Sequence, residues 1–280
     1  MNKTFLSVAG FITIFSTLYA SHEKKELPGY ILKQAYLHIP ETIAQCETLG
    51  CIEKALQQEE YNALDNYLTK CNLSVNERFS LHSTWENLAK LLPSALFNTK
   101  QRQDTELLGS ERIQKTCKYL EESGVNSDGV EIIMDDEHCQ ETDNPAYSYL
   151  SYYDNSRPPR IVYHNGTVTD HTIAHEVTHL AELHGPKSEF IYRAVGEKNI
   201  DKKSYHKWMR AQEMQAELIP LLRFKDKELI DQVIEKHMPQ CIQDHTNGIL
   251  PYKWNDSINL GFPDCSEVLP YIAKIKEINQ

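Results

Sequence analysis

Two turn signals, Asn165-Gly166 and Gly185-Pro186, isolate a stretch of this chain that has to fold as a helix. Between them Ile173, Val177 and Leu180 recur at helical spacing, no Gly or Pro intervenes, and Thr169 or Asp170 stands where a cap belongs. The helix is expected to run to His184, because Gly185-Pro186 cannot continue it. His175 and His179 lie four residues apart on it, so their imidazoles leave one face and can share an ion.

The residue after the first histidine, Glu176, points to the side where water beside such an ion would sit. The segment His175-Glu176-Val177-Thr178-His179 thus offers two neutral nitrogen donors and a separate carboxylate base. Zinc is the cofactor this set suits: it acts as Lewis acid and lowers the pKa of water, and Glu176 takes the proton. A site of purely structural purpose has no use for Glu176 and closes with a fourth protein ligand. His171 shares the face of His175 and is expected beside the site or in solvent. His184 falls on the opposite face and is expected to partner the helix C-terminus.

Upstream, from Pro40 to about Glu122, apolar residues recur at three- and four-residue spacing. Ile43, Leu49, Ile52, Leu56, Tyr61, Leu64 and Leu68 belong to the first helices, with an interruption near Leu49-Gly50. Ser74 or Asn76 caps a helix running toward Leu91-Leu92, and Ser110 with Glu111 opens another that ends before Gly124. After Gly124 the pattern changes. Val130 to Met134 reads as a buried strand, Ala146 to Tyr153 alternates with Tyr147, Tyr149 and Tyr153 on one face, and Arg160 to His164 is a third strand. Asp201 or Ser204 caps a long helix through Trp208, Met209, Met214 and Leu218, which Pro220 should kink or end.

The N-terminus reads as an export signal: Met1-Asn2-Lys3, then an apolar run from Phe5 to Ala20 that is short for a membrane span. Secretion or delivery to a periplasm follows, with no stable membrane span after cleavage. All seven cysteines lie beyond that run, so disulfides are expected, with local pairing within Cys46/Cys51/Cys71, Cys117/Cys139 and Cys241/Cys265. A net charge of −11 without a long basic run argues against nucleic acid as partner.

On the His175 to His179 segment the chain resembles the zincin metallopeptidases, specifically the glutamate-type branch, the gluzincins. In that branch a glutamate on a later helix is the third ligand, and an acidic residue four positions on supports a ligand histidine. Glu213-Met214-Gln215-Ala216-Glu217 is similar to the branch's Glu-x-x-Ala-Asp pattern, with Glu217 in place of Asp. The resemblance implies His175, His179 and Glu213 as ligands, Glu176 as base and Glu217 as support for a ligand imidazole. It covers roughly residues 129 to 223. It also implies a peptide lying along an edge strand, the position of Arg160 to His164. Tyr205 and His206 are candidates for stabilising the oxyanion. Glu182 competes with Glu213 as third ligand, but three donors in line on one helix converge poorly on an ion.

These readings combine into an α+β protein: a signal segment over residues 1–20, an all-helical domain over 21–124, and a helix-rich zincin-like catalytic domain with a small sheet over 125–280. Its substrate would be a protein or peptide. A zinc-binding but inactive homologue serving as a protein-interaction module is the alternative, and a disulfide-stapled adhesion or inhibitor module with an accidental motif is a third.

Overall fold

The computed structural model describes residues 29–91, 111–134, 146–153, 157–163, 168–196, 200–224, 226–247 and 263–280. The signal segment, Cys139, the Asn165-Gly166 turn and His164 lie outside the described residues.

The upstream half is helical: α1 (Gly29–Leu37), α2 (Glu41–Ala44), α3 (Leu49–Lys70), α4 (Val75–Glu86), α5 (Leu88–Leu91) and α6 (Glu111–Glu122). The break falls at 45–48 rather than at Leu49-Gly50, because Thr48 accepts a hydrogen bond from the Cys51 N–H and starts α3 there. Ser74, not Asn76, caps α4, in a capping box with Glu77. After α6, Gly124 takes a positive φ of 77° that most side chains resist.

Then come β1 (Glu131–Met134), β2 (Ala146–Tyr149) and β3 (Arg160–Tyr163), followed by α7 (Asp170–Ala181), α8 (His184–Val195), α9 (Lys202–Arg223), α10 (Glu228–Thr246) and α11 (Cys265–Ile278). The protein is helix-rich with a small sheet, which agrees with the α+β expectation at that level. The sheet order is β1-β3-β2, with β1 parallel and β2 antiparallel to β3. This corrects the placing of the edge strand: Arg160–Tyr163 is paired on both sides. Of the two outer strands, β2 is the one packed against α7.

Two helix ends also differ from the sequence reading. The motif helix stops at Ala181, three residues before His184, because Leu183 adopts φ 59° and turns the chain. Gly185-Pro186 therefore opens α8 instead of closing α7, and proline is tolerated in a first turn whose N–H groups lack helical acceptors. Gly185 is needed for another reason: a Cβ there would meet the Leu150 carbonyl oxygen at 3.0 Å. Pro220 does not end α9 either, which continues to Arg223. It sits in the last turn, where the lost hydrogen bond interrupts little.

The buried core does not divide at Gly124. One apolar cluster takes Ile31, Ile43, Ile52 and Leu56 together with Ile161, Val177, Leu218 and Ile272. A second, aromatic cluster joins Tyr67 of α3 and Trp85 of α4 to Trp208 of α9. Disulfides link Cys46 to Cys51 and Cys241 to Cys265, the state of an oxidising compartment. Among the described residues, no helix is long and apolar enough to cross a membrane.

Candidate metal centre

Helices α7 and α9 pack side by side and bring the two halves of the candidate site together. His175 and His179 project from α7, and Glu213 comes across from α9. The Nε2 atoms of the histidines are 3.1 Å apart, and Glu213 Oε2 is 3.3 Å from each. A four-coordinate zinc ion with bonds of about 2.0–2.1 Å sets neighbouring donors about 3.3 Å apart, so the triangle has the size that such an ion requires. Glu213 Oε2 is shielded from solvent without a hydrogen-bond partner, a position that costs free energy unless a cation meets it. The residues fit the ion on both counts.

Charge in the metal-free site tells the same story. Burial alone would depress the His175 pKa, but the Glu213 and Glu217 carboxylates beside it outweigh burial and lift it to about 9. Glu213 is held well below the usual carboxylate range, because His175 and His179 overcome the effect of its burial. Without an ion, a proton on His175 balances the cluster. A divalent cation would take that proton's place.

A second set of donors overlaps the first: His171, His175 and Glu217 also lie close enough to hold an ion. Glu217 is wholly buried, and its Oε2 is 3.3 Å from His175 Nδ1. But its two oxygens already receive Lys236 Nζ and His237 Nε2, each at 2.8 Å. An ammonium in contact with the carboxylate repels a cation, so the second set reads as support for the first. Burial holds the His171 pKa down to about 4, despite the attraction of Glu217. His171 is therefore a buried neutral group beside the site and not a solvent-facing one.

Glu176 is 8% exposed and belongs to neither set of donors. Glu182 faces away, with Oε1 2.6 Å from Arg223. Tyr205 packs with Tyr67, Tyr192 and Trp208, about 12 Å along the α9 axis from Glu213, which removes it from the site. His206, one residue on, is at a similar axial distance.

His184 is the site residue that sequence spacing missed. In place of a helix-dipole partner on the opposite face it is a buried histidine, with Nδ1 2.9 Å from His179 Nδ1 and Nε2 3.0 Å from Gln215 Oε1. Burial, reinforced by His179 and Lys187, holds its pKa well below the ordinary value, so it is neutral. The only sequence signal for it would have been a turn at Glu182-Leu183, and neither residue advertises one.

Compared with protein-family models, with curated proteins and with solved structures, the chain gives no match.

Proposed function

We propose that this protein is an exported zinc-dependent peptidase of the gluzincin type, hydrolysing peptide bonds. The observation that carries the reading is the donor triangle of His175, His179 and Glu213, with edges of 3.1, 3.3 and 3.3 Å, on the helix that also carries Glu176. The side chains of His179 and Glu213 are 15% and 19% exposed, so solvent reaches the rim of the site although Glu213 Oε2 itself is shielded.

Bound there, zinc supplies a Lewis acid that polarises a carbonyl and acidifies water. The rest is work for the chain. Glu176 takes the proton of the attacking water and returns it to the departing amine. The Glu217 carboxylate, 3.3 Å from His175 Nδ1, favours the hydrogen on that nitrogen and so leaves the Nε2 lone pair turned toward Glu213. An extended substrate pairs with β2, the one of the two outer described strands that packs on α7. The two disulfides support export, as does the N-terminal signal pattern.

The test is metal analysis of the purified protein together with proteolysis of an unfolded substrate, with and without chelator. One zinc per chain and chelator-sensitive cleavage are expected. Zinc without cleavage would leave a binding module, and no zinc would end the proposal.

A further inference from the structure

Each ligand imidazole has its own holder. For His175 it is the carboxylate of Glu217; for His179 it is another imidazole, His184, and the proton assignments along that contact can be derived. Gln215 donates from Nε2 to the Leu56 carbonyl oxygen at 3.2 Å and to Glu60 Oε2 at 2.9 Å. Both hydrogens of its amide are thereby committed, and its Oε1 faces His184 Nε2 at 3.0 Å. A carbonyl oxygen only accepts, so His184 Nε2 carries a hydrogen. A neutral imidazole with its hydrogen on Nε2 has a lone pair on Nδ1. The 2.9 Å contact between the two Nδ1 atoms is then a bond donated by His179 and accepted by His184. His179 is left with its lone pair on Nε2, the atom that faces His175 and Glu213. The reverse assignment would aim an N–H at those donors and prevent His179 from binding an ion.

We infer that His184 is the positioning residue of His179, and that a chain of hydrogen bonds from His179 through His184 and Gln215 to Glu60 sets which nitrogen is offered to the metal. The inference rests on the metal-site reading above and extends it to α3. Glu60 is buried on that helix and also accepts from Gln212 Nε2 at 2.9 Å. The upstream helices thus hold one ligand in its binding tautomer, at a sequence separation of 155 between Gln215 and Glu60.

Two measurements on the full-length chain test this. In the first, long-range ¹⁵N–¹H correlation of the metal-free wild type reads the tautomers directly. His179 protonated on Nδ1 and His184 on Nε2 is expected; the opposite pair overturns the inference, whatever the protein does with zinc. In the second, zinc affinity is measured by competition with a chromophoric chelator for His184→Leu and His184→Asn. Asparagine places an acceptor oxygen about where Nδ1 stood, and leucine has none. The leucine variant should bind zinc roughly 10- to 100-fold more weakly, the usual effect of removing such a support, and the asparagine variant should stay close to wild type. Wild-type affinity in the leucine variant overturns the inference, and so does an equal loss in both. A wild-type protein that binds no zinc would instead sink the metal-site reading, leaving the tautomer measurement to decide the relay.

Discussion

Glu182 Oε1 lies 2.6 Å from an Arg223 nitrogen, and the same guanidinium also bonds Glu53 at 2.5 Å. The carboxylate that competed with Glu213 for the third-ligand place is thereby committed to Arg223, which ties the end of α7 to α9 and, through Glu53, to α3. Glu182→Ala should therefore keep a wild-type zinc content, with a small loss of thermal stability. Glu213→Ala should lose zinc and activity together. Metal analysis of the two variants checks this, and the reverse pattern would move the third ligand to Glu182.

Glu176 is the next test. Removing its basicity without its shape, by Glu176→Gln, should leave zinc bound, because Glu176 belongs to neither donor set. Hydrolysis should fall by roughly two to four decades, the range expected when a general base is lost. A zinc-loaded variant with full activity would remove Glu176 from the mechanism.

What was legible in the sequence is what depends on helical spacing. His175 and His179 share a face because four residues make about one turn, and Glu213 and Glu217 follow the same rule on α9. The three short strands were legible from β-branched and aromatic runs. Partners brought in by tertiary packing were not: no spacing rule ties Glu60 to Gln215, or Lys236 and His237 to Glu217. The clearest misreading, at His184, came from a single backbone angle. Leucine is not a residue that signals φ 59°, so the helix looked continuous to Gly185 and His184 was placed on the wrong face.

Zinc binding should release a proton. In the metal-free protein His175 has its pKa lifted to about 9 by Glu213 and Glu217, so at pH 7.5 it is protonated, whereas a ligand imidazole must give up that proton. Affinity should therefore climb as pH rises toward 9 and level off above it. The linked stability runs the opposite way. The raised pKa stabilises the metal-free fold fully below the unfolded value of about 6.5, and that contribution disappears as pH rises through 9. Calorimetry at pH 7.5 in buffers of different ionisation enthalpy should report about one proton released per zinc. No buffer dependence would contradict the charge state assigned to His175.

The two disulfides should differ in weight. Cys241–Cys265 ties α10 to α11 across 24 residues, and Cys46–Cys51 closes only 5. Constraint of the unfolded chain grows with loop length, giving about 3.5 kcal/mol for the longer link and about 2 kcal/mol for the shorter. Paired Cys→Ala variants, compared by denaturant unfolding, should show the larger loss for Cys241 and Cys265. Equal losses would mean that native-state packing at the two links, and not chain entropy, dominates.

The last prediction concerns the fragment 125–280, which holds every donor of the proposed site. Cutting at Gly124 would strip Leu56, Ile52 and Ile43 from the main core and Tyr67 from its stacking contact with Trp208, 6.0 Å between ring centroids. It would also leave Gln212 and Gln215, both buried on α9, without Glu60 as acceptor. A large core side chain lost costs about 2–5 kcal/mol. A domain's whole stability is about 5–15 kcal/mol, so a few such losses exceed it. The fragment should therefore show no cooperative thermal transition by circular dichroism and should bind zinc weakly if at all, while the full chain melts cooperatively. A fragment that melts sharply and takes up one zinc would show that the upstream helices are a dispensable cap, and that His184 and Gln215 hold their geometry without α3.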